Sequence, residues 1–159
     1  MPSWRIIKLE ATLGAADLRL RVEAVRSVGG LPSQRSKVLH LVNDPEPRVR
    51  QALGIALRVL DDAPTRSALL ALLGDRWTFV RISAIDSLAV ASADPAVDQA
   101  LLAALPSERV PAAQQRLVDA VAVRRLFAAG PTLAGLAMGE RTLLDVRARA
   151  TVALGRVCH

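Results

Sequence analysis

The sequence contains few of the residues on which metal sites and nucleophilic chemistry depend. One cysteine, Cys158, and two histidines occur among 159 residues, and tyrosine is absent. A single cysteine excludes an internal disulfide and fits a reducing compartment. His40 and His159 belong to no His-Glu pair or other metal-ligand spacing, and Cys158 has no nearby base. We therefore predict no metal site, no cofactor and no enzymatic activity.

Long hydrophobic runs are also missing. The longest uncharged apolar stretch, residues 126–139, is too short to span a bilayer and is interrupted by Gly130-Pro131. The first five residues lack the continuous apolar segment of a secretory signal. We expect no membrane insertion and a cytoplasmic location.

The residues that are abundant favour helices. Apolar residues make up 52% of the chain, mainly Ala, Leu and Val, whereas aromatic residues make up 3%. This composition suits close-packed helices better than strands. The net charge is +6, and Lys8 and Lys37 are the only lysines. Arginine in excess suits contacts with carboxylates or phosphates, but does not by itself indicate nucleic acid.

One nine-residue frame recurs along the chain. It is clearest as Val49–Leu57 after Asp44-Pro45, as Val80–Leu88 after Asp75, and as Val146–Leu154. Weaker copies cover Leu20–Val28 and Gln115–Val123. The arginines at its second position are Arg21, Arg50, Arg81, Arg116 and Arg147, at steps of 29, 31, 35 and 31 residues. A period of this length is typical of stacked helical hairpins.

Apolar spacing, glycines and Asp-Pro pairs divide the chain into ten predicted helices in five antiparallel pairs. The inner helices, which carry the frame, are expected from residue 16 to 28, from Asp44-Pro45 to about 60, and at about 77–90, 112–128 and 142–157. The predicted fold is all-α, a right-handed α-α superhelix of about five helical hairpins. We expect a single domain over 1–159, with repeats at about 3–30, 31–61, 62–92, 93–129 and 130–159.

The pattern resembles the HEAT repeat, in the short form found in bilin lyase subunits and many bacterial scaffold proteins. The matching features are the Asp-Pro turn at Asp44-Pro45, the Val-Arg pairs and the small residues after them. The fourth repeat departs from the pattern, with Gln115 in place of Val and Asp119 in place of a small residue. The resemblance implies a structural ladder of acids and arginines that ties neighbouring repeats together. Its predicted members are Asp44, Arg50, Asp75, Arg81 and Arg147.

The outward face of the inner helices is the predicted binding surface. Offsets 2, 6 and 9 from the Val of each Val-Arg pair lie opposite the buried offsets at 100° per residue. These positions carry mostly apolar residues with basic margins, a composition typical of partner surfaces. The predicted partner-binding residues are Ile55, Arg58, Ile82, Asp86, Leu117, Val121, Arg124 and Val152. A register error of one residue, or burial by dimerisation, would also explain an apolar face, and the oligomeric state stays open.

Three functions are compatible with these features. A non-enzymatic protein-interaction or scaffold module, holding a partner segment on its concave face, accounts for the apolar positions and the lack of catalytic residues. Nucleic-acid binding through arginines on the phosphate backbone is the alternative that the net charge suggests. An enzyme subunit of the bilin-lyase kind follows from the resemblance alone.

Overall fold

The computed structural model describes residues 12–140 and 142–158, except for the side chain of Val28. Within these ranges the chain forms helices and no strands. The α-helices are α1 Leu18–Val28, α2 Pro47–Ala56, α3 Ala63–Leu73, α4 Thr78–Leu88, α5 Pro95–Ser107, α6 Pro111–Val123, α7 Gly130–Met138 and α8 Leu144–Val157. Short 3-10 segments cover Arg35–Lys37, Leu39–Asn43, Leu57–Val59 and Phe127–Ala129. The predicted all-α fold is confirmed.

Local capping determines where several helices begin. The Asp17 carboxylate accepts a hydrogen bond from Arg19 N (2.8 Å), and Asp62 accepts one from Thr65 N (2.9 Å). Asp94 caps α5 in the same way. Proline lies in the first turn of α2, α3, α5 and α6, where its missing N–H is not needed. The aspartates and prolines used to divide the sequence therefore act as helix starts.

The helices form two compact bodies. The N-terminal body is Met1–Ser87 and the C-terminal body is Leu88–His159. In the first body α1 packs on α2, and α3 packs on the Leu39–Asn43 segment. In the second body α6 packs between α5 and α8, and α7 packs on α8. The single domain over 1–159 stays a prediction.

Each body has its own core of fully buried aliphatic side chains. The N-terminal core contains Val25, Leu53, Leu57, Leu69, Leu72 and Ile85, and the C-terminal core contains Leu101, Leu105, Leu117, Val121 and Leu133. Burial of this apolar surface is the main favourable term for a fold built from hairpins that cannot be stable alone.

The segment after Pro32 differs from the predicted outer α-helix, since it forms the two 3-10 pieces between residues 35 and 43. Its buried side chains, Val38 and Leu41, are three residues apart. A 3-10 helix places residues at i and i+3 on one face, so this segment seals the core within a short connection. Residues 3–11 of the first predicted repeat lie outside the described residues.

Helices α2 and α4 approach each other closely at Gly54. A Cβ at Gly54 would clash with Ser83 Oγ and lie 3.2 Å from Ser83 Cβ. One turn further along α4, Ser87 Oγ donates a 2.8 Å hydrogen bond to Gly54 O. Glycine therefore permits this approach in the middle of a helix, where it would otherwise be unfavourable.

Candidate interaction surfaces on the inner helices

The frame arginines of the N-terminal body share one backbone contact. Arg21, Arg50 and Arg81 each donate from Nη1 to the carbonyl oxygen six residues earlier, at 3.4, 2.6 and 2.9 Å. These carbonyls belong to the turn before each inner helix. The contact fixes the turn against its own helix, and its recurrence defines the register of the frame.

The ladder carboxylates bind arginines of the preceding repeat. Arg50 donates from Nε and Nη2 to the two carboxylate oxygens of Asp75, at 2.6 and 3.0 Å, and Arg21 lies 3.3 Å from Asp44. Within one repeat, Arg50 contacts Asp44 and Arg81 contacts Asp75 through the backbone carbonyl of the aspartate. Each aspartate thus holds its own helix by its backbone and the preceding helix by its side chain.

Asp75 is a strongly stabilised anion. Burial alone would raise the pKa of its carboxyl, but hydrogen bonds from the Arg50 guanidinium and Trp77 N, together with the Arg50 charge, keep that pKa below its usual value. The same hydrogen bond raises the pKa of Arg50 against the opposing effect of burial. The pair is therefore ionised throughout the neutral range.

In the C-terminal body the ladder is altered. Gln114 Nε2 donates to Glu108 O, six residues earlier, at 3.3 Å, and Gln114 thus takes the place of a frame arginine. Arg147, a predicted ladder residue, instead donates from Nε to Ala137 O at the end of α7 (3.2 Å). In both of these contacts the acceptor is a backbone carbonyl and not a carboxylate such as Asp75.

The contact of Gln114 corrects the register of the fourth repeat. The frame there begins at Ala113, two residues before the expected Gln115, and Ala113 is buried like Val49. Leu117 and Val121 consequently occupy core offsets and are 1% and 0% exposed. Their predicted position on the outward face is wrong.

The guanidinium group of Arg124 is also not available to bind a partner. Its Nε donates to Asp98 Oδ1 (2.6 Å), and Nη1 donates to the carbonyls of Leu88 (3.0 Å) and Ala91 (2.7 Å). Its side chain is 6% exposed. Arg124 therefore closes the turn after α4 within the C-terminal body, and its predicted place on a partner surface is wrong.

Four of the predicted partner-binding residues lie together in the N-terminal body. Ile55 on α2 is 45% exposed, and Ile82 and Asp86 on α4 are half-buried. Ile55 directly follows Gly54 and Ile82 directly precedes Ser83, so each is next in sequence to a residue of this helix contact. Arg58, just beyond α2, is exposed.

Val152 belongs to a separate groove in the C-terminal body. This groove, of about 330 Å³, lies between α6 and α8 and includes Asp119, Arg149 and Arg156. Asp119 and Arg149 form an exposed ion pair at 2.5 Å. The predicted residues thus divide between two surfaces and the interior of the C-terminal body.

A second groove, of about 530 Å³, lies between α1 and α2. It is lined by Leu18, Arg19, Val22, Glu23, Arg26, Arg48 and Gln51. Arg19, Arg26 and Arg48 are not among the predicted partner-binding residues. The sequence contained a signal for Arg19 and Arg48, because each directly precedes the apolar residue that begins a frame.

Within the described residues, no group of three His, Cys, Asp or Glu side chains could hold a metal ion. No described helix combines the length and apolar character needed to cross a membrane. Cys158 is exposed.

The arrangement of helices and ladder residues is that of a helical repeat protein. The family model for HEAT repeats matches residues 8–89, slightly more than half of the chain. The chain belongs to the HEAT-repeat family, and the resemblance stated from the sequence is confirmed. No curated protein matches the chain. HEAT repeats generally mediate protein–protein interaction or scaffolding, and the family is typically non-enzymatic.

Proposed function

We propose that the chain is a non-enzymatic interaction module that holds a segment of another protein on the inner-helix face of its N-terminal body. The main supporting observation is that Ile55 is exposed and that Ile55 and Ile82 each adjoin a residue of the Gly54–Ser83 contact. An aliphatic side chain that remains in water beside another apolar residue gains free energy when a partner covers it.

The surroundings of this apolar centre support the same proposal. Arg58 is exposed, and its side chain makes no hydrogen bond or ion pair within the described part of the chain. Asp86, on α4, already has a polar interaction. An apolar centre with charged margins is the usual composition of a protein interface, and Arg58 suits an acidic residue flanking an apolar anchor.

Selection from a random twelve-residue peptide library tests this proposal. We expect the full chain to enrich peptides with one or two large apolar residues, and Ile55→Asp with Ile82→Asp to weaken their binding at least tenfold in fluorescence anisotropy. The matched control is Val110→Asp with Val123→Asp, which places the same two charges at exposed apolar positions of the C-terminal body. Equal binding by the wild type and the double variant would contradict the proposal.

Nucleic-acid binding is the alternative, and the three arginines of the α1–α2 groove favour it. Against it, Arg21, Arg50 and Arg124 use their guanidinium groups within the protein. A titration with duplex DNA at two salt concentrations separates the two functions, because phosphate-driven affinity falls steeply with salt.

A further inference from the structure

The groove between α1 and α2 differs from the Ile55–Ile82 surface in its charge. The two helices run parallel, since Arg21 reaches Asp44 at one end and a Cβ on Gly29 would meet Ala56 Cβ at the other. Arg19 and Arg48, each directly before the frame of its helix, lie at the entry end of the groove. Arg26 lies two turns further along α1.

These three arginines are exposed, and their guanidinium groups make no hydrogen bond or ion pair within the described residues. The frame arginines Arg21 and Arg50, by contrast, are bound to carboxylates. Among the described residues, Glu23 is the one acid that lines the groove, and its carboxylate makes no hydrogen bond or ion pair there. Three like charges around one depression repel each other, so an anion that binds among them relieves a repulsion as well as forming new contacts.

The remaining lining indicates what kind of anion fits. Leu18 and Val22 provide apolar surface and Gln51 an amide, beside the charged groups. Glu23 would repel a continuous phosphate backbone but can pair with a single basic residue of a peptide. Arg19 and Arg26 are seven residues apart on α1, about 10 Å along a helix, which an extended peptide spans in about three residues. The groove therefore suits a peptide whose carboxylates alternate with apolar side chains.

We infer that the α1–α2 groove binds an acidic segment of a partner protein, with carboxylates on Arg19, Arg26 and Arg48 and apolar side chains on Leu18 and Val22. This inference rests on the proposed protein-binding function and extends it to the charge of the partner. Guanidinium groups bind carboxylates in bidentate geometry, as Arg50 binds Asp75 within this protein.

The same peptide selection tests this inference through different variants. We expect acidic residues to be enriched in a class of selected peptides, and Arg26→Glu with Arg48→Glu to weaken binding of this class at least tenfold. Arg109→Glu with Arg156→Glu is the matched control, since it reverses two exposed arginines of the C-terminal body and changes the net charge by the same amount. Circular dichroism checks that all variants keep their helix content.

The outcomes separate this inference from the proposed function. Acidic peptides that bind the Arg26→Glu, Arg48→Glu variant as well as the wild type would overturn the inference, as would a selection without acidic enrichment. Peptides that remain sensitive to Ile55→Asp with Ile82→Asp would leave the proposed function standing. Duplex DNA that binds more tightly than any peptide, with loss of binding in Arg26→Glu with Arg48→Glu, would identify a phosphate site and overturn the inference.

Discussion

The guanidinium group of Arg50 binds the side chain of Asp75 and the backbone of the turn before its own helix. Nε and Nη2 bind the Asp75 carboxylate, while Nη1 binds the carbonyls of Asp44 (2.6 Å) and Pro45 (3.3 Å). The Arg50 and Asp75 side chains are 9% and 8% exposed. Removing one member of a buried ion pair leaves the other without its counter-charge, which costs more free energy than the pair itself contributes.

Replacing Asp75 with Asn should therefore lower the free energy of unfolding by about 3 kcal/mol at neutral pH. The amide oxygen can still accept one hydrogen bond from Arg50, so the helices should remain in place. Urea denaturation followed by circular dichroism measures the change.

Asp119→Asn is the control for this substitution. It removes an ion pair with Arg149 whose side chains are 42% and 48% exposed. A loss of less than about 1 kcal/mol is expected, because water screens exposed pairs. Similar losses of unfolding free energy in the two variants would show that the buried Arg50–Asp75 pair stabilises the protein no more than an exposed pair does.

The ladder also makes stability depend on pH. The pKa of Asp75 is lowered in the folded protein, mainly because bonds from Arg50 and Trp77 N outweigh the effect of burial. Ionised Asp75 contributes fully to folding stability above the ordinary aspartate pKa of about 3.9. This stabilisation is lost as the pH falls through the lower pKa that Asp75 has in the folded protein. The difference in unfolding free energy between wild type and Asp75→Asn should thus be largest at pH 7 and decrease below about pH 4. A difference that stays constant down to pH 2 would contradict this assignment.

At the scale of the helices, the distance between α2 and α4 is set by small residues. Gly54 in α2 contacts Ser83 in α4, and Ser87 hydrogen-bonds to the Gly54 carbonyl. Alanine is favoured over glycine in a helix interior by about 1 kcal/mol. At this site the added methyl group would instead meet Ser83 and Leu72.

Gly54→Ala should consequently reduce the free energy of unfolding by about 1 to 2 kcal/mol, since overpacking outweighs the gain in helix propensity. Adding Ser83→Ala should recover part of the loss, because it removes the hydroxyl that the methyl group would meet. A double-mutant cycle by urea denaturation measures this coupling.

Gly135→Ala is the matched control at another helical glycine. A Cβ at Gly135 meets no atom within 4 Å, apart from its own helix and chain neighbours. We expect this variant to be more stable than the wild type by about 0.5 to 1 kcal/mol. If both glycine variants were destabilised, the contact between α2 and α4 at Gly54 would not explain the loss of stability in Gly54→Ala.

At the scale of the whole molecule, each ladder contact should stabilise mainly the helices around it. The Arg50–Asp75 contact lies in the N-terminal body and the contacts of Arg124 lie in the C-terminal body. Each repeat of a helical array contacts mainly its neighbours, so a lost contact weakens the helices around it most.

Hydrogen exchange should reveal this locality. In Asp75→Asn we expect faster amide exchange in α2–α4 with smaller changes in α6–α8, and in Arg124→Ala the reverse pattern. The reciprocal variants control for a general loss of stability. Exchange that rises uniformly through both bodies in each variant would show a single cooperative unit instead.

The repeated frame made most of the fold predictable. Val49-Arg50 and Val80-Arg81 stand at equal distance from their aspartates, and this periodicity predicts helices of the right number and order over residues 44–107. The fourth repeat was misaligned because Gln114 lacks the guanidinium that marks the frame. Pro111 precedes Ala113 by two residues, as Pro47 precedes Val49, and this spacing carried the correct register.

The sequence by itself determined that the chain folds into helical hairpins of the HEAT type, because the apolar period, the capping residues and the Val-Arg frame are local features. Only the tertiary structure decided which carboxylate pairs with which arginine and which outward positions are covered. Arg21, Arg26, Arg48 and Arg50 have the same chemistry in the sequence, yet two are bound to aspartates and two line an open groove. The difference arises from contacts between helices that are 23 to 25 residues apart, and local sequence patterns do not encode these contacts.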